Sequence, residues 1–149
     1  MNWAIHFHLI AAIAWIGGAM FMFVLGITLL DKKKQQEVYP NIGPIFGYFE
    51  LGSLLILLVT GVLMIMQNGL FELFLSGETH EIKQLLEKKL WLVFIILIAT
   101  VIHFSIALKT NGKQRTSLEN FFSRSSSMII FFLNLFVLHY AIVLRSMLR

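Results

Sequence analysis

The stretch of sequence that decides the fold is WAIHFHLIAAIAWIGGAMFMFVLGITLL, residues 3–30, which contains no charged side chain. It is 28 residues long, whereas about 20 apolar residues suffice for an α-helix to cross the hydrocarbon core of a bilayer. The stretch therefore predicts a transmembrane helix. No Lys or Arg precedes it and it is too long for the apolar part of a signal peptide, so we do not interpret it as a leader.

Three further apolar stretches have the same character. Backbone polar groups in hydrocarbon must be satisfied within the protein, and unbroken apolar runs of this length are typical of helices rather than of alternating barrel strands. We predict an all-α fold, a single-domain integral membrane bundle of four transmembrane helices that cover residues 3–30, 45–66, 90–108 and 126–145. Pro40 and Pro44 are expected to mark the turn before the second helix, and residues 71–86 to form a short amphipathic helix at the interface.

The composition excludes several classes of protein. Of the 149 residues 58% are hydrophobic and only 13% are charged, so too few polar side chains are present to cover a soluble core. The absence of cysteine excludes disulfides, thiolate metal sites, covalent haem attachment and a cysteine nucleophile. The net charge of +4 lies in the loops, which indicates contact with lipid headgroups rather than binding of nucleic acid.

The five histidines are the first candidates for chemistry, because polar side chains inside a membrane span are costly. His6 and His8 are two residues apart, so they point about 200° apart on a helix and only one can face the bundle. Steps of three and four residues from His8 give a seam of small side chains with one Trp, namely Ala4, His8, Ala11, Trp15, Gly18 and Met22. We therefore predict that His8 points inward, with Trp15 as a wall of its pocket.

Depth in the membrane pairs His8 with His139. Both lie about 8–9 Å from the same predicted face, whereas His103 lies near the opposite face. Two imidazoles from facing helices at one level suit a b-type haem, so we predict His8 and His139 as the iron ligands. The helix face of His103 runs through Ile96 to Lys89, which places a cation near the level of His8 and makes both His103 and Lys89 candidate cofactor-binding residues.

Copper is the alternative cofactor. Thioether and imidazole ligands suit Cu(I), and the predicted outer side carries His6, Met64, Met66 and His80. A third interpretation is a structural subunit whose histidines hold helices together. Of the other polar residues, Asn134 is expected to form a hydrogen bond between helices, and Glu50 to lie at the interface where its carboxylate reaches water.

Two segments resemble a known family. HLIAAIAWIGGAMF (residues 8–21) resembles the first helix of CopD-like bacterial membrane proteins and of the related HemJ-type protoporphyrinogen oxidases. KKLWLVFIILIATVIHF (residues 88–104) is similar to the third helix of the HemJ type, in which a Lys precedes a His. The resemblance to HemJ implies haem binding, with His8 and Lys89 at the motif positions. The resemblance to the CopD-like group implies copper handling.

The departures from the HemJ pattern favour the CopD-like grouping. That pattern has an arginine after the Trp of the first helix and then a histidine, whereas this chain has Val24 and no His there. The Asn-Glu-Pro run of the fourth helix is also missing. We expect a haem-binding redox protein whose partner is a quinone, a porphyrin or another redox protein, in the bilayer and capable of forming homo-oligomers.

The distribution of basic residues predicts the topology. The first and third loops carry seven of the twelve Lys and Arg residues, and the segments on the opposite side carry five. Because Lys and Arg favour the cytoplasmic side, we expect a bacterial inner-membrane protein with both termini in the periplasm. Reporter fusions after Lys34 and after Arg124 should report a cytoplasmic location, and a fusion near Glu78 an external one. Reversed signals at all three sites would invert the assignment.

Overall fold

A computed structural model describes residues 3–77, 80–109 and 117–147, and within these ranges the chain is helical with no β-strand. The helices are α1 (Trp3–Thr28), α2 (Lys32–Gln67), α3 (Leu70–Leu75), α4 (Glu81–Lys109) and α5 (Ser117–Met147). Four of them contain stretches long and apolar enough to cross a membrane, at Trp3–Thr28, Pro40–Gln67, Glu81–Lys109 and Ser125–Met147. The predicted four-span membrane bundle is confirmed.

The second helix begins earlier than the sequence predicts. The prediction of a turn at Pro40 and Pro44 is wrong, because α2 starts at Lys32 and runs through both prolines. Asp31 caps it, with its side chain accepting a hydrogen bond from the Lys33 amide at 3.0 Å. A proline keeps a helical φ but removes its own N–H bond and crowds the carbonyl four residues earlier, a cost that membrane helices tolerate. The side chain of Asn41 donates to the Glu37 carbonyl at 2.7 Å in the same region.

The interfacial helix expected over residues 71–86 is divided. It forms as the short helix α3, which ends at Leu75, and the rest of the segment belongs to α4 from Glu81 onward. Gly69 and Gly77 both have φ of 69°, a conformation that side chains with a Cβ rarely adopt. These two glycines let the chain turn sharply on either side of α3.

The long helices form two antiparallel hairpins, α1 with α2 and α4 with α5, which meet mainly along α1 and α5. Every long helix contributes to the central core of buried side chains, which consists of Trp15, Leu54, Ile96, Ala99 and Ile130. A second cluster combines Leu70 of α3, Leu86 of α4 and Leu144 of α5. Many large apolar side chains remain exposed on the outside, as expected for a bundle surrounded by lipid.

The seam predicted on α1 is confirmed. The buried residues of this helix are Ala4, Ala11, Trp15 and Gly18, all of which belong to it. Gly18 is the tightest position, because a Cβ there would overlap Glu50 Oε1 and stand 2.9 Å from Phe46 Cζ. Gly17, one residue earlier, faces open space. The small residues of the seam therefore let α2 side chains pack directly on the α1 backbone.

This contrast gives a matched test of the packing. Gly18→Ala should destabilise the bundle by about 1–3 kcal/mol, because the added methyl group must displace Glu50 or Phe46. Gly17→Ala should be neutral or slightly stabilising, since Ala favours the helix and nothing obstructs it. Thermal unfolding of both variants in the same detergent measures the difference. Equal melting temperatures would contradict the proposed α1–α2 contact.

Candidate functional site

His8 is held on α2 by a hydrogen bond. Its Nδ1 lies 2.8 Å from Oγ1 of Thr60, which is buried in the bundle. The ring lies against Gly61, where an added Cβ would stand 3.4 Å from His8 Cε1. The prediction that His8 faces the bundle is therefore confirmed, and one edge of its imidazole is fixed against α2.

The bonds of Thr60 determine which nitrogen of His8 carries the proton. The Thr60 hydroxyl donates to the Ile56 carbonyl at 2.6 Å, and this uses its single proton. Its oxygen therefore accepts from His8, so Nδ1 carries the hydrogen and Nε2 keeps a free lone pair. The backbone of Leu57 also hydrogen-bonds to the ring. Metal-binding histidines typically show this arrangement, in which one nitrogen is anchored and the other is available.

Lys89 of α4 lies within electrostatic range of His8. This confirms the predicted level of Lys89, and Ile96 on the same face of α4 is buried in the core. The Lys89 side chain is partly buried, and no carboxylate in the described ranges pairs with its ammonium group. The structure thus brings together an anchored imidazole and a cation without a counter-charge.

The structure does not bring His139 to this site. His139 is exposed on α5, where its ring packs edge-on against Tyr140 at 5.8 Å. The reason is rotational: Asn134 points into the bundle, and five residues further along a helix is a rotation of about 140°. The contact between Trp15 and Asn134 sets α1 against α5 so that His8 and His139 lie at similar depths. The two histidines nevertheless lie on different faces. The expected pair of facing imidazoles is therefore not formed within the chain.

His103 and the copper candidates lie apart from His8. His103 Nδ1 is 3.4 Å from Ser126 Oγ, toward the opposite end of the bundle. His6 is exposed beside Trp3, and His80 is exposed and accepts from the Ile82 amide at the start of α4. Met64 is partly buried and Met66 is exposed. In the part of the chain that the structure describes, no three His, Cys, Asp or Glu side chains are close enough to share a metal.

A second polar contact lies at the centre of the bundle. Trp15 Nε1 donates to Asn134 Oδ1 at 3.0 Å, and both side chains are buried. The predicted role of Asn134 as an interhelical hydrogen-bond residue is confirmed. Trp15, expected as a wall of the His8 pocket, is instead the central core side chain, two turns further along α1.

Glu50 is the polar residue whose position differs most from expectation. It was expected at the interface in contact with water, but its Oε1 is buried against Gly18 and has no hydrogen-bond partner among the described residues. The longer second helix explains the difference, because the span begins at Pro40 and places Glu50 ten residues inside it. The one feature of the sequence that could have indicated the burial of Glu50 is Gly18, which leaves a gap in the α1 seam.

Comparisons with known proteins give no assignment. No protein-family model, curated protein or solved structure matches this chain.

The Trp15–Asn134 bond can be tested by conservative substitution. Trp15→Phe retains an aromatic ring in the core but removes the only N–H donor of the side chain. We expect a loss of about 1–2 kcal/mol in stability, because Asn134 Oδ1 then lacks its donor inside the bundle. Trp91→Phe is the matched control, since Trp91 is 67% exposed. Equal effects on thermal unfolding would show that the central bond contributes nothing.

Proposed function

We propose that the chain is a haem-binding membrane protein of the CopD/HemJ-like kind that transfers electrons. In this proposal His8 Nε2 would hold the iron of a b-type haem. The observation that supports it is the hydrogen bond between His8 Nδ1 and Thr60, whose hydroxyl donates to Ile56; from these two bonds we assign the ring hydrogen to Nδ1 and the lone pair to Nε2. The resemblance of residues 8–21 and 88–104 to the family agrees with the choice of His8 and Lys89.

The residues around His8 fit such a cofactor chemically. Imidazole nitrogen is a usual axial ligand of haem iron, and a bound haem supplies reversible one-electron chemistry. The ammonium group of Lys89 attracts carboxylates such as the haem propionates, and no protein carboxylate in the described ranges competes for it. His139 faces away, so we assign no axial role to it within one chain.

The chain's own residues have three tasks in this proposal. Thr60 holds the imidazole in one orientation, Lys89 supplies positive charge, and the apolar side chains of α1, α2 and α4 exclude water. A partner that is soluble in lipid, such as a quinone or a porphyrin, reaches the bundle through its exposed apolar surface. We place the protein in the bacterial inner membrane with both termini in the periplasm, from the distribution of basic residues.

The HemJ-type oxidase is the second candidate function. It is favoured by one observation, the proximity of His8 and Lys89, the residues at the family's two motif positions. Copper handling gains no comparable support, because His6, His80 and Met66 are exposed at separate positions. A test with the porphyrinogen substrate distinguishes the oxidase from a protein that transfers electrons only.

The test of haem binding is the visible spectrum of protein purified from cells supplied with a haem precursor. We expect a Soret band in the wild type, its loss in His8→Ala, and an altered spectrum in Lys89→Ala. Thr60→Val should weaken haem binding about 10–100-fold, because it removes the group that orients the ligand.

The matched controls are variants at positions away from the site. Lys88→Ala, His139→Ala and the double variant Met64→Ala with Met66→Ala should leave the spectrum unchanged, because Lys88, His139 and Met66 are exposed and a haem held by imidazole needs no thioether. A colourless wild type that retains copper, and loses it in the double methionine variant, would replace haem with copper. A colourless wild type without copper would leave only the structural role of the histidines.

A further inference from the structure

Two buried polar atoms in the described part of the chain have no hydrogen-bond partner, and they belong to one region of the bundle. They are Glu50 Oε1 on α2 and Asn134 Nδ2 on α5. Both side chains contact the same turn of α1: Trp15 binds Asn134 through its other amide atom, and Gly18 lies against Glu50. Residues three apart on a helix are neighbours, with Cβ positions about 5–6 Å apart.

The two atoms are chemically complementary. Asn134 Nδ2 is a donor and Glu50 Oε1 is an acceptor, and each costs about 1–3 kcal/mol when it is buried without a partner. Buried polar atoms of this kind are normally satisfied by a bound water, which requires two to four polar neighbours. Asn134 is only 5% exposed, so a water bound to it lies inside the bundle rather than at its surface.

Among the residues that the structure describes, no cation lies near Glu50 to balance a negative charge. The only titratable side chains of α1 are His6 and His8. His8 binds Thr60 on α2, and Thr60 is ten residues from Glu50 along that helix, a distance of about 15 Å. On α4 the nearest titratable group toward the Glu50 end is His103, which contacts Ser126. An ionised carboxylate without a partner in hydrocarbon is strongly disfavoured, so Glu50 carries a proton at rest.

We propose that Glu50 and Asn134, together with the Trp15–Gly18 turn of α1, form a proton-binding site inside the membrane. Glu50 binds and releases the proton, and Asn134 Nδ2 donates to the water that bridges the two side chains. The carboxyl O–H bond breaks as a new O–H bond forms on this water, giving a carboxylate and a hydronium ion, and both changes reverse when the proton returns. The site is separate from His8 and does not depend on the proposed haem.

Accessibility to lipid provides the test. Glu50 is only partly buried, and its second oxygen is not among the buried atoms that lack partners, so a reagent dissolved in the membrane can reach the carboxyl. Dicyclohexylcarbodiimide is such a reagent. It reacts with a protonated carboxylic acid, whose O–H adds across a C=N bond, and the product rearranges to a stable acylurea that retains all atoms of both reactants.

The experiment treats native membranes containing the full chain with this reagent and identifies the labelled residue by peptide mass spectrometry. We expect labelling at Glu50, a decrease as the pH is raised, and complete loss in Glu50→Gln. A water-soluble carbodiimide should label the exposed Glu81 but not Glu50. The proposal is overturned if the lipid-soluble reagent leaves Glu50 unmodified, or if the water-soluble reagent labels Glu50 as fast as Glu81.

Two variants separate the role of Asn134 from a general loss of packing. Asn134→Leu removes the orphan donor and should shift the pH dependence of Glu50 labelling. Ile130→Ala disturbs the packing of α5 one turn away but keeps the donor, so it should not shift this pH dependence. Equal pH profiles in wild type and Asn134→Leu would exclude Asn134 from the site. His8→Ala should leave the labelling unchanged, so failure of haem binding and failure of this proposal are distinguishable.

A measurement on the wild type covers the case in which Asn134→Leu does not fold. The infrared spectrum should contain a carbonyl band of a protonated carboxylic acid that shifts on exchange into D₂O and is absent in Glu50→Gln. The lack of a protonated-acid band that depends on Glu50 would show that its carboxyl is ionised and would overturn the proposal.

Discussion

The hydrogen bond from Trp15 Nε1 to Asn134 Oδ1 joins the two helical hairpins in the middle of the bundle. The hairpins meet mainly along α1 and α5, so this bond lies in the contact that makes four helices one unit. Association of apolar helices in lipid gains little from the hydrophobic effect and depends on close packing and interhelical hydrogen bonds. The small residues Ala11 and Gly18 supply the packing on either side of Trp15, and the bond fixes the register of α1 against α5.

The same constraint explains why the interior polar groups occur at separate levels. His8 and Thr60 bind each other near one end, and Ser126 contacts His103 toward the other. Between them Glu50 rests on Gly18, where its Oε1 finds no partner in the described part of the chain. The hydrogen-bonded pairs hold the helices together. The groups that can still form hydrogen bonds or bind a ligand are Nε2 of His8 and the Glu50 carboxyl, and these are available for chemistry. Some atoms of these polar groups thus hold the helices together, and other atoms of the same groups carry the proposed functions.

The helical period alone was sufficient to predict the inward face of α1, because the small residues and His8 lie on one face of the helix and large apolar residues on the others. It was not sufficient for α5, where apolar side chains surround the helix and only contact with Trp15 shows that Asn134, not His139, faces inward. The start of α2 was missed because proline is compatible with helical φ, and whether it ends a helix depends on neighbouring residues. The burial of Glu50 depends on a glycine in another helix, which no pattern within α2 reveals.

The central claim about function is that Thr60 holds His8 in the tautomer that leaves Nε2 free. Solid-state ¹⁵N NMR of the protein without cofactor, labelled at histidine and assigned with His8→Ala, tests this most directly. The account predicts a protonated Nδ1 and an unprotonated Nε2 for His8, and a loss of this preference in Thr60→Val. A His8 ring protonated at Nε2, with Nδ1 accepting from Thr60, would contradict the account, because the nitrogen assigned to the iron would then have no lone pair to offer.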